Sequence, residues 1–115
     1  MTAHQKVKYI RSKVLRESAH GSPCFVNSEV CNHNPETTVL AHSNWHEDGK
    51  GAGIKAHDIY ATFACSACHD WIDNRLNTGQ TEIERRDAFH TGMKMTWLVW
   101  IMADFIEITV RDIKK

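Results

Sequence analysis

The sequence lacks an excess of charge of either sign. Its 115 residues include 14 lysines and arginines against 14 aspartates and glutamates, so the formal net charge at pH 7 is zero. The protein therefore has no overall basic field that would attract nucleic acid. Binding to nucleic acid would require a local patch of positive charge or a bound cation.

Long apolar runs are missing as well. The most apolar stretch, residues 93–110, contains Lys94, Asp104 and Glu107 and is too polar to span a bilayer. Residues 1–10 are polar and lack the apolar segment and small-residue cleavage site of a signal peptide. We therefore expect a cytoplasmic protein without membrane contact, in which cysteines serve as metal ligands rather than as disulfides.

The length of the chain predicts a single domain over residues 1–115 with a modest core. The sequence contains no internal repeat and no low-complexity segment. Eight histidines are many for so short a chain, and they favour metal chemistry or a surface that responds to pH.

Apolar periodicity and turn residues predict an α+β arrangement. Helices are expected at residues 12–19, from Cys68 to about residue 76, and from a capping box at Thr81 and Glu84 onward. In the last helix, Met93, Trp97, Trp100, Ile101 and Phe105, broadened by Leu98 and Met102, are expected to form a core stripe. Extended segments are expected at residues 6–10, in a hairpin between Cys24 and Cys31, and at residues 37–41, 59–64 and 106–110, with the last pairing with the first.

The most informative stretch is Cys65-Ser66-Ala67-Cys68-His69. Two cysteines separated by two residues can bind one metal ion from a tight turn, and a helix N-terminus favours their thiolate forms. Together with Cys24 and Cys31 they provide the four thiolates of a structural Zn²⁺ site in a treble-clef arrangement. The alternative is that Cys24 and Cys31 are merely buried thiols.

The same five residues also match the attachment pattern of c-type haem, with two thioethers and an axial histidine. Haem of that type is normally attached outside the cytoplasm, and it would leave Cys24 and Cys31 unexplained. The zinc interpretation therefore fits the sequence better.

His42 follows the strand predicted at residues 37–41. Taken alone, it would be interpreted as a histidine that binds a backbone carbonyl. In a strand, loop, strand and helix unit, however, the end of the first strand faces the start of the helix, so His42 and His69 could flank one phosphate. His69 and Asp73 lie four residues apart on one helical face, and Asp58 precedes the second strand. A divalent cation opposite a free imidazole can hydrolyse phosphodiesters.

The motifs around these residues resemble those of HNH endonucleases, which have the ββα-metal fold. The resemblance depends on Leu40-Ala41-His42, on Asp58-Ile59 after a glycine-bearing loop, and on the run from Ala64 to Asp70. Residues 23–75 are more similar to the small predicted nucleases of lambdoid phages and prophages, the YbcO-like family. Residues 92–100 share a looser similarity with that family.

The resemblance implies a treble-clef zinc domain that contains a ββα-metal unit and a C-terminal core helix. It also implies that His42 is the general base, that His69 binds the catalytic cation, and that Asp58 corresponds most nearly to the middle Asn of the HNH motif. His69, Asp58 and Asp73 form the candidate site for the catalytic cation, and His42 is not one of its ligands. HNH enzymes often carry an Asp ligand directly before the base, where this chain has Ala41.

The function expected from this resemblance is that of a metal-dependent endonuclease. It would hydrolyse DNA phosphodiester bonds with one Mg²⁺ or Mn²⁺ ion on a structural Zn²⁺ scaffold, in the cytoplasm of a bacterium that carries the phage or prophage. The second hypothesis is a zinc module without catalytic activity that binds DNA or a phage protein, and the third is an enzyme with an unrelated substrate. The sequence does not determine whether the substrate is DNA or RNA, whether it is single-stranded, duplex or branched, or whether the chain forms a homodimer.

Overall fold

The computed structural model describes residues 9–51 and 53–110, which form a small α+β unit with a two-stranded sheet. Two short 3-10 turns, Pro35–Thr37 and His46–Asp48, lie in the loops. No helix in the described part of the chain is long and apolar enough to cross a membrane. In chain order the regular elements are α1 (Lys13–Glu17), β1 (Val39–His42), β2 (Ala61–Ala64), α2 (Ser66–Ile72) and α3 (Glu82–Met102).

The two strands are antiparallel, with Val39 opposite Ala64 and His42 opposite Ala61. All four residues of β2 are buried, because α3 covers this strand. The register places His42 at the last position of β1, where the chain leaves the sheet for the long loop. The strand end was expected to face the start of α2, but Val39 rather than His42 lies opposite Ala64, which leads into that helix. The loop instead meets the other end of α2, where Asn44 bonds to the C-cap Asp73.

Helix α3 lies directly on the backbone of β2. A Cβ at Gly92 would collide with the hydroxyl of Thr62 and lie 3.2 Å from the carbonyl oxygen of Phe25, so only glycine allows this approach. The Phe63 amide donates a hydrogen bond of 3.1 Å to the hydroxyl of Thr96. The capping box predicted at Thr81 and Glu84 is present and begins the helix.

Helix α1 begins as predicted at Ser12, whose side chain accepts a hydrogen bond from the Leu15 amide. Leu15 packs with Phe63 and Trp100 in a buried cluster. The indole N–H of Trp100 donates a hydrogen bond of 2.8 Å to the hydroxyl of Ser18. These contacts fix α1 beside the sheet, and the side chain of Arg16 consequently lies close to the loop after β1.

The core stripe predicted on α3 is correct in part. Met93 and Trp100 are buried and Trp97 is partly buried. The inclusion of Leu98, Met102 and Phe105 was wrong, since these side chains are 59%, 84% and 45% exposed. Leu98 and Met102 lie on the side of α3 that the other described residues leave exposed, and Phe105 lies beyond the end of the helix at Met102.

Three other predicted elements differ from the structure. The segment from Cys24 to Cys31 is a series of turns without strands, and Asn27 in it has a left-handed φ of 48°. Helix α2 ends at Ile72 rather than near residue 76, because Asp73 is its C-cap and Asn74 has a φ of 58°, which no helix continues.

The strand predicted at residues 106–110 is also absent, since these residues are irregular. Most of its expected partner, residues 6–8, lies outside the described residues. Tyr9 and Ile10 are irregular because the Ile10 backbone bonds to the loop: its amide donates to Nδ1 of His57 and its carbonyl accepts from the Asp58 amide.

Candidate functional site

The four cysteines converge on one point. Cys24 and Cys31 come from the turns before β1, Cys65 directly follows β2, and Cys68 lies in the first turn of α2. Their four sulfur atoms all lie within 4.8 Å of one another. Since no pair is joined as a disulfide, the cluster could bind a metal ion such as zinc.

Local hydrogen bonds explain this convergence. The amide of Phe25, next to Cys24, donates a 3.0 Å bond to the carbonyl of Phe63, which ties the turns to β2. Cys65 is the N-cap of α2, and its sulfur accepts a 3.3 Å bond from the Cys68 amide. The hydroxyl of Ser28 lies 3.1 Å from the sulfur of Cys68. Strand, helix and turns thus hold the sulfurs from different directions.

Four thiols so close together cannot all ionise without a cation. A hydrogen bond from the Cys68 thiol lowers the pKa of Cys24 to about 4, and the same bond raises the pKa of Cys68. Burial raises the pKa of Cys31. A bound divalent cation would stabilise all four thiolates at once.

A separate, open cleft of about 230 Å³ lies beyond the other end of α2. It brings together His42 from the end of β1 with His69 and Asp73 from α2. The remaining walls carry polar and cationic side chains from the loop and from the segment after α2. These are Ser43, Asn44, Lys50, Lys55 and Arg75, and among the described residues Leu40 adds an apolar side chain.

His42 is held by a buried carboxylate. Its Nε2 lies 2.7 Å from Oδ1 of Asp58, whose side chain is only 1% exposed. The other oxygen of Asp58 accepts hydrogen bonds from the Ser12 amide and from Arg16, the latter at 3.0 Å. Burial opposes ionisation of Asp58, but the hydrogen bonds from His42 and Ser12 outweigh it and lower its pKa.

An ionised carboxylate only accepts hydrogen bonds, so Nε2 of His42 carries the proton in this contact. In the neutral ring, Nδ1 is then the nitrogen with a free lone pair. The pair therefore fixes both the tautomer and the orientation of the imidazole.

The second histidine of the cleft also has a carboxylate partner. Nε2 of His69 lies 3.3 Å from Oδ2 of Asp73, one helical turn away. The Asn44 amide donates to Oδ1 of Asp73, and Arg75 lies 3.2 Å from Oδ2. Burial raises the pKa of Asp73, but the hydrogen bond from His69 and the neighbouring charges outweigh that effect and lower it.

The structure thus separates the candidate site residues into three groups. The four cysteines form the buried cluster, whereas His42, His69 and Asp73 line the cleft. Asp58 is buried against the His42 ring and contacts neither His69 nor Asp73 among the contacts of the described residues. Ala41, which directly precedes His42, is fully buried in the core.

Sequence reasoning did not identify the polar wall of the cleft. Asn44 and Arg75 contact Asp73, and Lys50 and Lys55 face the same space. The available signal was the long polar loop at residues 43–57, a kind of loop that in a small domain is often functional. Nothing in its residue spacing indicates which side chains turn toward His69.

Comparison with known proteins identifies the family to which the chain belongs. The model of the family described as "Putative nuclease YbcO" matches residues 13–104. Proteins named "Putative nuclease YbcO" from Escherichia coli (strain K12) and "Putative nuclease ybcO" from Enterobacteria phage 82 are each 42% identical over 94 residues, which is 81% of this chain and 96% of theirs.

A solved structure is similar as well. It is described as "a putative bacteriophage protein from Escherichia coli str. K-12 substr. MG1655", with a TM-score of 0.63, 38% identity, and coverage of 79% of this chain and 100% of that chain. The match to the family model covers the cysteine cluster and the cleft, which both lie within residues 13–104. The chain therefore belongs to the family described as "Putative nuclease YbcO", which has members in a phage and in Escherichia coli.

Proposed function

We propose that this protein is an HNH-type endonuclease that hydrolyses DNA phosphodiester bonds with one divalent cation. The observation that carries the proposal is the cleft in which His42 faces the same space as His69 and Asp73. A hydrolytic nuclease needs a base for water and a positive centre for the phosphate, supplied by different groups. The two histidines can divide these roles.

His42 is the general base in this mechanism. Asp58 holds Nε2 of the ring, so Nδ1 can take the proton from a water molecule that attacks the phosphate. The imidazolium that results is stabilised by the negative charge of Asp58, which the lowered pKa keeps ionised. Asp58 is then a positioning residue rather than the metal ligand expected from the sequence.

His69 and Asp73 would hold the cation. Two ligand atoms at right angles on one cation, each roughly 2.1 Å from it, are separated by roughly 3 Å. The 3.3 Å between Nε2 of His69 and Oδ2 of Asp73 fits this geometry. Such a cation, Mg²⁺ or Mn²⁺, would neutralise charge that develops on the phosphate, and two protein ligands leave positions for phosphate oxygens and water.

The cationic wall favours a nucleic acid as the substrate. Lys50, Lys55 and Arg75 line the cleft in a chain of zero net charge, so positive charge is concentrated where the reaction would occur. The cysteine cluster, with Zn²⁺ bound in a treble clef, would fix the start of α2 and hence the position of His69.

The decisive experiment assays plasmid, single-stranded and branched DNA with native protein, His42→Ala and His69→Ala in Mg²⁺ and in Mn²⁺. We expect His42→Ala to lower the cleavage rate by about 10²–10⁴-fold, the usual contribution of a general base, with unchanged Mn²⁺ affinity. His69→Ala should instead lose Mn²⁺ binding. His46→Ala is the matched control, because this exposed histidine does not line the cleft.

Cleavage by His42→Ala at the native rate would reject His42 as the base. If the native protein cleaves none of these substrates but still binds DNA, the zinc module without catalytic activity is the better description. Equal losses in His42→Ala and His46→Ala would show that the assay reports general damage to the fold.

A further inference from the structure

A second groove lies on the other side of His42. Its volume is about 260 Å³, and its lining includes Arg16 and His20 from the α1 region, Thr38, and Lys55 from the loop. His42 and Lys55 line both this groove and the cleft, so the two hollows adjoin at these side chains. A linear ligand could occupy both at once.

The charge of the groove points to an anion. Arg16 and Lys55 carry cationic side chains, and none of the described residues that line the groove is acidic. Arg16 uses one terminal nitrogen to bond Asp58, and its side chain is 45% exposed. A guanidinium has five N–H donors, so Arg16 can bind Asp58 and a phosphate oxygen at the same time.

A hydroxyl without a partner supplies an independent observation. Thr38 lines the groove and is 2% exposed, yet its Oγ1 has no hydrogen-bond partner among the described residues. Leaving a buried hydroxyl without a hydrogen-bond partner is unfavourable. An oxygen-bearing ligand in the groove, or a water molecule that it orders, would satisfy this hydroxyl.

We propose that this groove binds a DNA phosphate that is not cleaved, next to the phosphate in the cleft. This inference rests on the proposed function. The strand would run from the cleft past His42 and Lys55 to Arg16 and His20. The groove would then raise the affinity for a strand that extends past the scissile bond on the side of Arg16.

The test measures binding of a short DNA duplex as a function of salt concentration, without added Mg²⁺ or Mn²⁺ so that no strand is cut. Each phosphate contact contributes about 0.9 to the slope of log K against log salt. We expect Arg16→Gln to reduce the slope by about 0.9 and Arg16→Lys to restore it. Lys13→Gln is the matched control, because Lys13 is exposed on the same helix but lies outside the groove.

Asp58→Asn separates a phosphate contact from damage to the bond between Arg16 and Asp58. This variant removes the charge of the partner and weakens that bond but keeps the Arg16 cation, so it should not lower the slope. A duplex carrying one methylphosphonate at successive positions locates the contact. One uncleaved position should weaken binding to the Arg16 protein and have no further effect on Arg16→Gln.

Equal slopes for Arg16→Gln and Lys13→Gln would overturn the inference, and so would the absence of any methylphosphonate position specific to Arg16. Cleavage by the native protein is assayed separately. If the native protein cleaves DNA but the two slopes are equal, the phosphate site in the groove is rejected and the proposed nuclease activity stands. If the slopes are as predicted but no DNA is cleaved, the nuclease activity is rejected and the phosphate site stands.

Discussion

The cysteine cluster and the histidine cleft are both candidate metal sites, but they differ in closure. The cluster provides four sulfurs within 4.8 Å of one another, which completes a tetrahedral set and leaves no position for a substrate. The cleft provides one nitrogen and one carboxylate oxygen, 3.3 Å apart, beside open space. A closed set is typical of a structural ion and an open one of a catalytic ion.

One short helix serves both sites. Cys65 and Cys68 lie at the start of α2. His69 and Asp73, the C-cap of the same helix, face the cleft. At seven residues, α2 is too short to be stable alone and depends on its ends being held. The comparison therefore predicts an asymmetry: loss of the cluster should destroy the cleft, whereas changes in the cleft should leave the cluster intact.

Removal of the metal from the cysteine cluster should have the largest effect. We expect protein purified without added metal to contain about one Zn²⁺ per chain, because metal binding to such a site supplies of order 10 kcal/mol of folding free energy. A strong chelator should abolish the fold of α2 and all activity together. Elemental analysis measures the zinc content, and circular dichroism measures the loss of helical structure.

Cys65→Ser should behave like the chelated protein, and His69→Ala should keep its zinc and its fold. A folded, fully active protein without zinc would contradict the asymmetry. Covalent haem, or two disulfides without metal, would exclude the zinc site itself.

Helix α3 packs against the sheet from which both sites are built, and Trp100 is the central side chain of this packing. This side chain is fully buried against Phe63 and Leu15. Trp100→Ala should lower the free energy of unfolding by about 3–5 kcal/mol, measured by urea denaturation. Leu98→Ala is the matched control on the same helix; because Leu98 is exposed, its cost should be within about 0.5 kcal/mol.

Similar costs for Trp100→Ala and Leu98→Ala would mean that the exposed side of α3 is covered in solution. A small cost for Trp100→Ala with intact zinc would mean that the cluster alone holds the sheet and α2. Either outcome would contradict the view that the packing of α3 and the bound metal contribute separately to the free energy of unfolding.

Residues close together in the chain were predictable from sequence. The spacing of Cys65 and Cys68 identified one half of the cluster, and the order of strand, loop, strand and helix placed His42 near His69. The end of α2 was not predictable, because it depends on the backbone of Asn74 at positive φ rather than on apolar periodicity. The strand expected at residues 106–110 failed for a related reason: alternation alone does not supply a partner strand.

Contacts through the long loop were the least predictable. His42 and Asp58 are 16 residues apart, and the loop between them has no period that indicates which side chain returns to the imidazole. The interpretation of Asp58 as a metal ligand came from its place before β2. The structure instead surrounds its carboxylate with His42, Arg16 and the Ser12 amide, an arrangement that favours a positioning role.

Asp58→Asn tests this role, and its effect should be the smallest of those considered. The amide keeps the shape of the side chain but removes the charge that orients His42. A carboxylate that holds a functional histidine typically contributes about 10–100-fold in activity. We expect a loss of this size in kcat with little change in KM, because the substrate does not contact Asp58 directly. Asp58→Ala, which also removes the hydrogen bonds, should lose at least as much.

The pH dependence of stability distinguishes positioning by a charged carboxylate from simple packing. The folded pKa of Asp58 is lowered from its ordinary value of 3.8, so its charge stabilises the fold above that pH. This contribution is lost as the pH falls through the lowered value. The difference in unfolding free energy between native protein and Asp58→Asn should therefore be largest near neutral pH and shrink below about 3.8. A difference that is independent of pH, combined with an unchanged kcat, would show that Asp58 only fills space and that His42 is oriented by other contacts.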